Sequence, residues 1–210
     1  MGIRRVLAIS GSPSRSSKSV LLADAVLRRL HSYGIETDHV MTRELDPTAL
    51  LSVDLQSPSL KTFLEKVAGA HGIIVATPIY KASFSGLLKA ALDVLPQFAL
   101  AGKVVLPLGT GGSLAHVLAL DYSLRPVIQS MGTRHIVQSH FVVDVDFIKS
   151  GPNLDSDDAH MVGLRNACEN FLHSLTDDAG AAVLGHPRPV PSIGLALAVN
   201  ADQQLCTAST

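Results

Sequence analysis

A chain of 210 residues that is 47% hydrophobic, with mean hydropathy +0.30, suits one domain with a sizeable core and excludes a disordered polymer. Seventeen basic against 18 acidic residues leave a net charge of −1, which removes the basic surface that nucleic acid or an anionic membrane would need. Cys168 and Cys206 stand far apart with no motif partner, so a reduced, cytoplasmic setting is expected.

Nothing in the chain reads as a targeting or membrane segment. Arg4 and Arg5 precede an apolar run too short for a signal peptide. Met1-Gly2 is followed by Val6 where myristoylation wants Ser or Thr. The stretch 181–199 comes nearest to a membrane span, and His186, Pro187, Arg188, Pro189 and Pro191 break it. A soluble protein is expected.

Residues 3–10 form an apolar run that reads as a buried strand. It ends in Gly11-Ser12-Pro13-Ser14-Arg15-Ser16-Ser17-Lys18-Ser19, and a helical pattern covers 20–30. A strand that opens a helix through a hydroxyl-rich turn is suited to phosphate, because first-turn N–H groups and the helix dipole face the anion. Five serines can donate hydrogen bonds there, and Arg15 and Lys18 add full charge. The turn lacks both the triphosphate-loop signature and the spaced glycines of a dinucleotide turn, which points to a terminal phosphomonoester. A plain serine-rich helix cap is the alternative.

Gly34 stops the first helix, and 35–41 alternates as a partly exposed strand. Residues 42–54 read as a loop or a short helical turn. Ser57-Pro58 starts a helix to about 70, with Leu60, Phe63, Leu64 and Val67 inward. An uninterrupted apolar strand, 72–77, is ended by Pro78 and followed by a loop and a helix over 86–95. Another centre strand, 104–108, runs into Gly109-Thr110-Gly111-Gly112-Ser113. Residues 114–124 are helical, and Pro126 must kink or interrupt that helix.

Tyr122 is the outlier in that helix, and a single wide turn there would accommodate the proline behind it. A fifth strand (134–143), a polar connection (144–157) and a last helix (158–175) come next. The chain then divides into a domain over 1–176 and a Pro/Ala/Gly-rich tail, expected to be flexible, over 177–210.

Strands and helices alternate five times, which predicts an α/β fold: a doubly wound, five-stranded parallel sheet of order 2-1-3-4-5. That order sets strands one, three and four side by side, and each ends in a hydroxyl- or glycine-rich turn. The second turn offers Pro78, Ile79, Tyr80, Lys81 and Ser83; the third offers Thr110, Gly111, Gly112 and Ser113. Together they describe a phosphate pocket beside a slot for a flat, polar-edged ring, and flavin mononucleotide (FMN) fits both. Tyr80 either flanks the ring or sits in the core. Lys81 and Lys89 either draw a nucleotide phosphate or stay solvated, and His116 either approaches the ring edge or lies on a helix surface. No Ser-His-Asp arrangement or carboxylate pair is apparent, and no histidine shows metal-ligand spacing, so neither a catalytic side chain nor a metal is assigned.

At these residues the chain resembles the NAD(P)H-dependent FMN reductases. Gly11-Ser12-x-x-Arg15-x-Ser17-x-Ser19 is similar to the family's phosphate loop, although Ser14 stands at the arginine position and Ser19 replaces asparagine. Residues 77–93 are similar to its ring-binding segment and Thr110-Gly111-Gly112 to its third loop. Residues 75–86, 102–107 and 119–126 resemble the sulfonate-utilisation branch more specifically.

The resemblance implies a flavodoxin-like fold, NADPH (or NADH) as reductant, and FMN handled as a substrate. Reduced flavin would go to a separate flavin-dependent alkanesulfonate monooxygenase. It also implies a homodimer or homotetramer, with Tyr122 at a subunit contact near the flavin. A tightly FMN-bound quinone or azo reductase and a non-enzymatic flavodoxin-like electron carrier are the rival readings.

Overall fold

The computed structural model describes residues 4–150, 153–155 and 159–176; the tail predicted over 177–210 lies outside the described residues. The strands are β1 (Arg5–Ser10), β2 (Glu36–Met41), β3 (Gly72–Tyr80), β5 (Val104–Gly111), β6 (His135–Ile136) and β7 (His140–Val143), with apolar runs in β1, β3 and β5 and a partly exposed, alternating β2; β4 (Ser83–Phe84) is a short return strand. The helices are α1 (Lys18–Ser32), α2 (Pro47–Ser52), α3 (Pro58–Gly69), α4 (Gly86–Asp93), α5 (Arg125–Ser130), α6 (Asp144–Ser150) and α7 (Ala159–Thr176). The sheet runs β2-β1-β3-β5-β6, with β7 also on β5 and β4 folded back on β3. Apart from the antiparallel β3–β4 pair, every pairing is parallel.

Side chains alternate across the sheet and build a core on each face. Leu7, Ile9, Ile73, Val75 and Val105 meet Leu60, Phe63, Leu88 and Ile128 on one side. Val6, Ala8, Ile74, Ala76 and Leu106 meet Leu22, Val26, Leu164 and Phe171 on the other. Gly72 is needed beneath α7, since a Cβ there would stand 2.7 Å from the Phe171 ring. Gly34, at φ +79°, ends α1 in the left-handed conformation glycine adopts without strain, as the sequence predicts.

The structure differs from the five-strand prediction where prolines set the ladder. Pro78 does not end β3. The partner β1 stops opposite Ala76, so beyond it the missing N–H faces no neighbour, and β3 continues through Pro78 opposite Thr110. Pro107 breaks the predicted fifth strand instead. The Val105 carbonyl accepts from Val137 N at 3.0 Å; two residues on, Pro107 faces the same edge and has nothing to donate. The outer strand therefore splits into β6 and β7. Arg125 reaches into the gap, donating to the Ile136 and Val137 carbonyls, each at 3.1 Å.

Over 42–54, where a loop or a short helical turn was expected, the helical alternative holds: Asp46 caps the short α2 by accepting from Thr48 N (2.8 Å) and Ala49 N (3.0 Å), with Pro47 at the first helical position. Other departures are local. The predicted polar connection over 144–157 contains α6. The predicted helix over 114–124 is a 3₁₀ turn (Leu114–His116), a break, and a π turn (Leu120–Leu124) that leads into α5 with Pro126 in its first turn. In the π turn the Arg125 N–H reaches back five residues to the Leu120 carbonyl. The single wide turn anticipated at Tyr122 is present.

Candidate functional site

Gly11 begins the first loop because nothing larger fits. A Cβ there would press on Leu88 and lie 2.8 Å from Ser85 Oγ. Ser85 uses that closeness twice: its hydroxyl donates to the Gly11 carbonyl and accepts from Leu88 N at 3.1 Å, which caps α4. The first loop is thereby clamped to the second. Within the first loop, Ser12 accepts from Ser14 N at 3.2 Å, and Ser17 caps α1 by accepting from Val20 N at 3.3 Å. The N–H groups of Lys18 and Ser19, in the first turn of α1, have no intrahelical acceptor; Lys18 lines the cavity, whereas Ser19 is buried.

The second loop is tighter than the sequence suggests. Tyr80 pairs with Ser83, so the connection is the two residues Lys81 and Ala82, at φ 52° and 61°. Two adjacent left-handed side-chain-bearing residues cost about 1–2 kcal/mol each. Thr77, fully buried, ties the loop ends: its hydroxyl donates to the Pro78 carbonyl at 2.8 Å and accepts from Ser85 N at 3.0 Å. Tyr80 is left half exposed.

In the third loop, Thr110 and Gly111 belong to β5 rather than to a turn, and both are buried. At Gly112 a Cβ would meet nothing within 4 Å, so the space above the backbone is open to a flat ligand.

The three loops converge on one cavity of about 270 Å³. Ser12, Ser17 and Lys18 line it from the first, Pro78, Ile79 and Tyr80 from the second, and Thr110, Gly111 and Gly112 from the third. Ser14 and Ser16 complete the first wall. Asp144, at the start of α6, was missed by sequence reasoning and closes the remaining side, its carboxylate 3.0 Å from Lys18 Nζ. No motif marks it; the topology alone brings the end of β7 beside the end of β5.

The other predicted residues lie elsewhere. Arg15 is exposed and lines a separate cleft with Pro13, Arg43 and Glu44. Ser19 is buried behind the loop, where it shares a hydrogen bond with Ser17 Oγ at 2.9 Å. Lys81 and Ser83 form the hairpin tip and its return. Ser113 accepts from Ala115 N at 3.2 Å and faces solvent. His116 does not line the cavity, but its buried, unpartnered Nδ1 lies 3.7 Å from where a Gly111 Cβ would stand. Tyr122 is 77% exposed on the π turn.

One correction concerns chemistry. The structure does assemble a serine, a histidine and an aspartate. Asp24 of α1 lies 2.7 Å from His39 Nδ1, and His39 Nε2 lies 2.6 Å from Ser10 Oγ. Their positions in sequence gave no sign of it, because α1, β2 and β1 meet only in the folded chain. Ser10 is fully buried, so no substrate reaches its hydroxyl. The set braces the residue just before the first loop and is not a hydrolytic centre.

A parallel sheet that gathers an anion seat and a glycine-floored slot beyond its strand ends defines a flavodoxin-like, mononucleotide-binding protein. The residues present fit FMN: hydroxyls, free N–H groups and Lys18 for its phosphate, and the open backbone at Gly112 for its ring.

Comparison with known proteins narrows the class. Residues 4–147 match the NADPH-dependent FMN reductase family. An FMN reductase (NADPH) of Escherichia coli (strain K12) is 44% identical over 144 residues, 69% of this chain and 75% of that protein. One of Pseudomonas putida is 39% identical over 185 residues, 88% and 91% of the two chains. The crystal structure of the apo form of NADH:FMN oxidoreductase (EMOB) superposes with TM-score 0.81 at 50% identity, covering 90% of this chain and 99% of that one. The chain belongs to the NADPH-dependent FMN reductase family; it is an oxidoreductase, with FMN and NAD(P)H as its cofactors.

Proposed function

We propose that the protein reduces FMN with NAD(P)H and releases the reduced flavin to a separate flavin-dependent monooxygenase of the alkanesulfonate type. The convergence of three strand-end loops on one cavity carries this reading. Ser12, Ser17, Lys18 and the start of α1 hold the phosphate, while Pro78, Ile79, Tyr80, Thr110, Gly111 and Gly112 frame the ring. Bound FMN supplies the hydride acceptor, so the chain's task is to hold two rings face to face and keep water out, with no side-chain acid or base required. Asp144 supports flavin as a passing substrate: it already pairs with Lys18, the one cation at the phosphate seat among the described residues that line the cavity.

The third loop supports assembly. Leu114, Val117, Leu118 and Tyr122 are 65%, 41%, 56% and 77% exposed along one stretch, an apolar surface suited to a second copy of the chain. Tyr122 meets a neighbouring subunit near the flavin in a homodimer or homotetramer. The enzyme works in the cytoplasm; among the described residues no helix is long and apolar enough to cross a membrane.

The test is the purified protein. A colourless preparation that oxidises NADPH only when FMN is added, and then drives a monooxygenase, supports the proposal. A yellow preparation that reduces quinones or azo dyes without free flavin overturns it, as does one that binds FMN but never oxidises NAD(P)H.

A further inference from the structure

Two guanidinium groups meet in the cleft next to the flavin cavity. Pro13, Arg15, Arg43 and Glu44 line about 420 Å³ of space, separated from the cavity by Ser14, which faces the flavin side. Arg43 is held in place: Nη1 donates to the Ser14 carbonyl at 3.0 Å, and Nη2 lies 2.7 Å from Met41 Sδ and 3.4 Å from Glu44 Oε1. Its Nε–H and one Nη1 proton are left over on opposite sides of the guanidinium, so Arg43 offers a fixed positive charge and single N–H donors rather than a fork. Arg15 makes no hydrogen bond or ion pair among the described residues and is free to swing toward the same space. The cleft therefore carries two positive charges against one carboxylate, one arginine fixed and one adaptable. Two guanidinium charges, with the fork of Arg15 unengaged, suit a phosphomonoester dianion.

Two such groups take part in the reaction proposed above, on which this inference rests. FMN carries one, and its seat is the serine loop on the other side of Ser14. NADPH carries the other, the 2′-phosphate on its adenosine ribose. Its nicotinamide must stack in the flavin cavity, and its adenosine end extends outside.

We propose that Arg15 and Arg43 bind the 2′-phosphate of NADPH and set the enzyme's preference for NADPH over NADH. The relatives leave the matter open, since two are FMN reductases (NADPH) and the superposed structure is an NADH:FMN oxidoreductase. Neither arginine touches the reacting atoms, so their effect falls on coenzyme binding.

Calorimetric titration with 2′,5′-ADP and with 5′-AMP tests the cleft without relying on activity. The unsubstituted protein is expected to bind 2′,5′-ADP at least about 10-fold more tightly, and Arg15→Gln to remove most of that gap. In steady state, the NADPH-to-NADH ratio of kcat/KM is expected to fall about 10- to 100-fold in Arg15→Gln and in Arg43→Gln. Arg43→Lys keeps the charge without the guanidinium's anchoring bonds to Ser14 and Met41 and should fall between.

Equal binding of the two nucleotides, or an unchanged ratio in Arg15→Gln, overturns the proposal. So does a weakening of FMN affinity, followed by flavin fluorescence, in step with NADPH, because Arg15 would then serve the flavin phosphate. Discrimination by the unsubstituted protein, lost in Arg15→Gln but without FMN reduction, would leave the cleft assignment standing and defeat the proposed function.

Discussion

The first and third loops leave β1 and β5, on either side of β3, and reach the same cavity, yet they are built in opposite ways. The first passes from β1 to α1 with its polar groups answered nearby: Ser17 caps the helix, Ser12 holds Ser14, and Ser85 clamps Gly11. Behind it the Asp24–His39–Ser10 set ties α1, β2 and β1 together. The third passes from β5 through a 3₁₀ turn, a break and a π turn before a regular helix resumes, and it leaves Leu114, Leu118 and Tyr122 in solvent. An anion seat must be rigid before its ligand arrives, because its dipoles work only when already aimed. The exposed surface of the third loop, proposed above as a subunit contact, would have no such need and would be completed by what covers it.

The strongest way to break this contrast is at Gly11. Gly11→Ala forces Leu88 and Ser85 off the first loop and is expected to cost about 1–3 kcal/mol of stability. FMN binding should weaken about 100-fold, since the seat is displaced as a whole; urea unfolding and flavin fluorescence titration measure the two effects. Native stability with unchanged FMN affinity would show that the clamp is not needed.

Tyr122→Ala should act in the opposite sense, leaving monomer stability within about 0.5 kcal/mol because the side chain is exposed. Association should weaken at least about 10-fold, as read by sedimentation velocity across protein concentration. Unchanged assembly and flavin handling would show that Tyr122 makes no subunit contact.

Asp144→Asn probes the far wall of the cavity, beside both loops. Removing the carboxylate frees Lys18 for phosphate, and FMN is expected to bind about 2- to 5-fold more tightly, the scale of a partly exposed ion pair. Weaker binding would mean that Asp144 positions the lysine instead of competing for it. Smallest is the effect of Ala82→Gly, which relieves a left-handed alanine at the hairpin and should raise stability by about 0.5–1 kcal/mol, measured as a shift in the urea midpoint.

Much of this contrast was legible in the residues. Gly11-Ser12 through Ser19 announces a strand, a hydroxyl-rich turn and a helix because each step depends on neighbours in sequence. Pro126 and Tyr122 together announced a wide turn for the same local reason. Pro107 could have announced the split between β6 and β7, but only once the strand edge it faces is known. Asp144, the Asp24–His39–Ser10 set and the Arg15–Arg43 cleft bring together residues from separate elements, and no spacing along the chain encodes such meetings.

The sequence by itself determined the alternation of strands and helices, the apolar faces that stack them, and the three loops that could cradle a phosphorylated ring. Each of these arises from local propensity and periodicity, which act over a few residues. The tertiary structure decided which predicted groups reach the cavity: it kept Lys18 and gave it Asp144, turned Arg15 into a neighbouring cleft, and drew Lys81 into a strained hairpin. The physical reason is that a side chain's direction and electrostatic company depend on strand order and packing, and those are fixed only when distant segments close on one another.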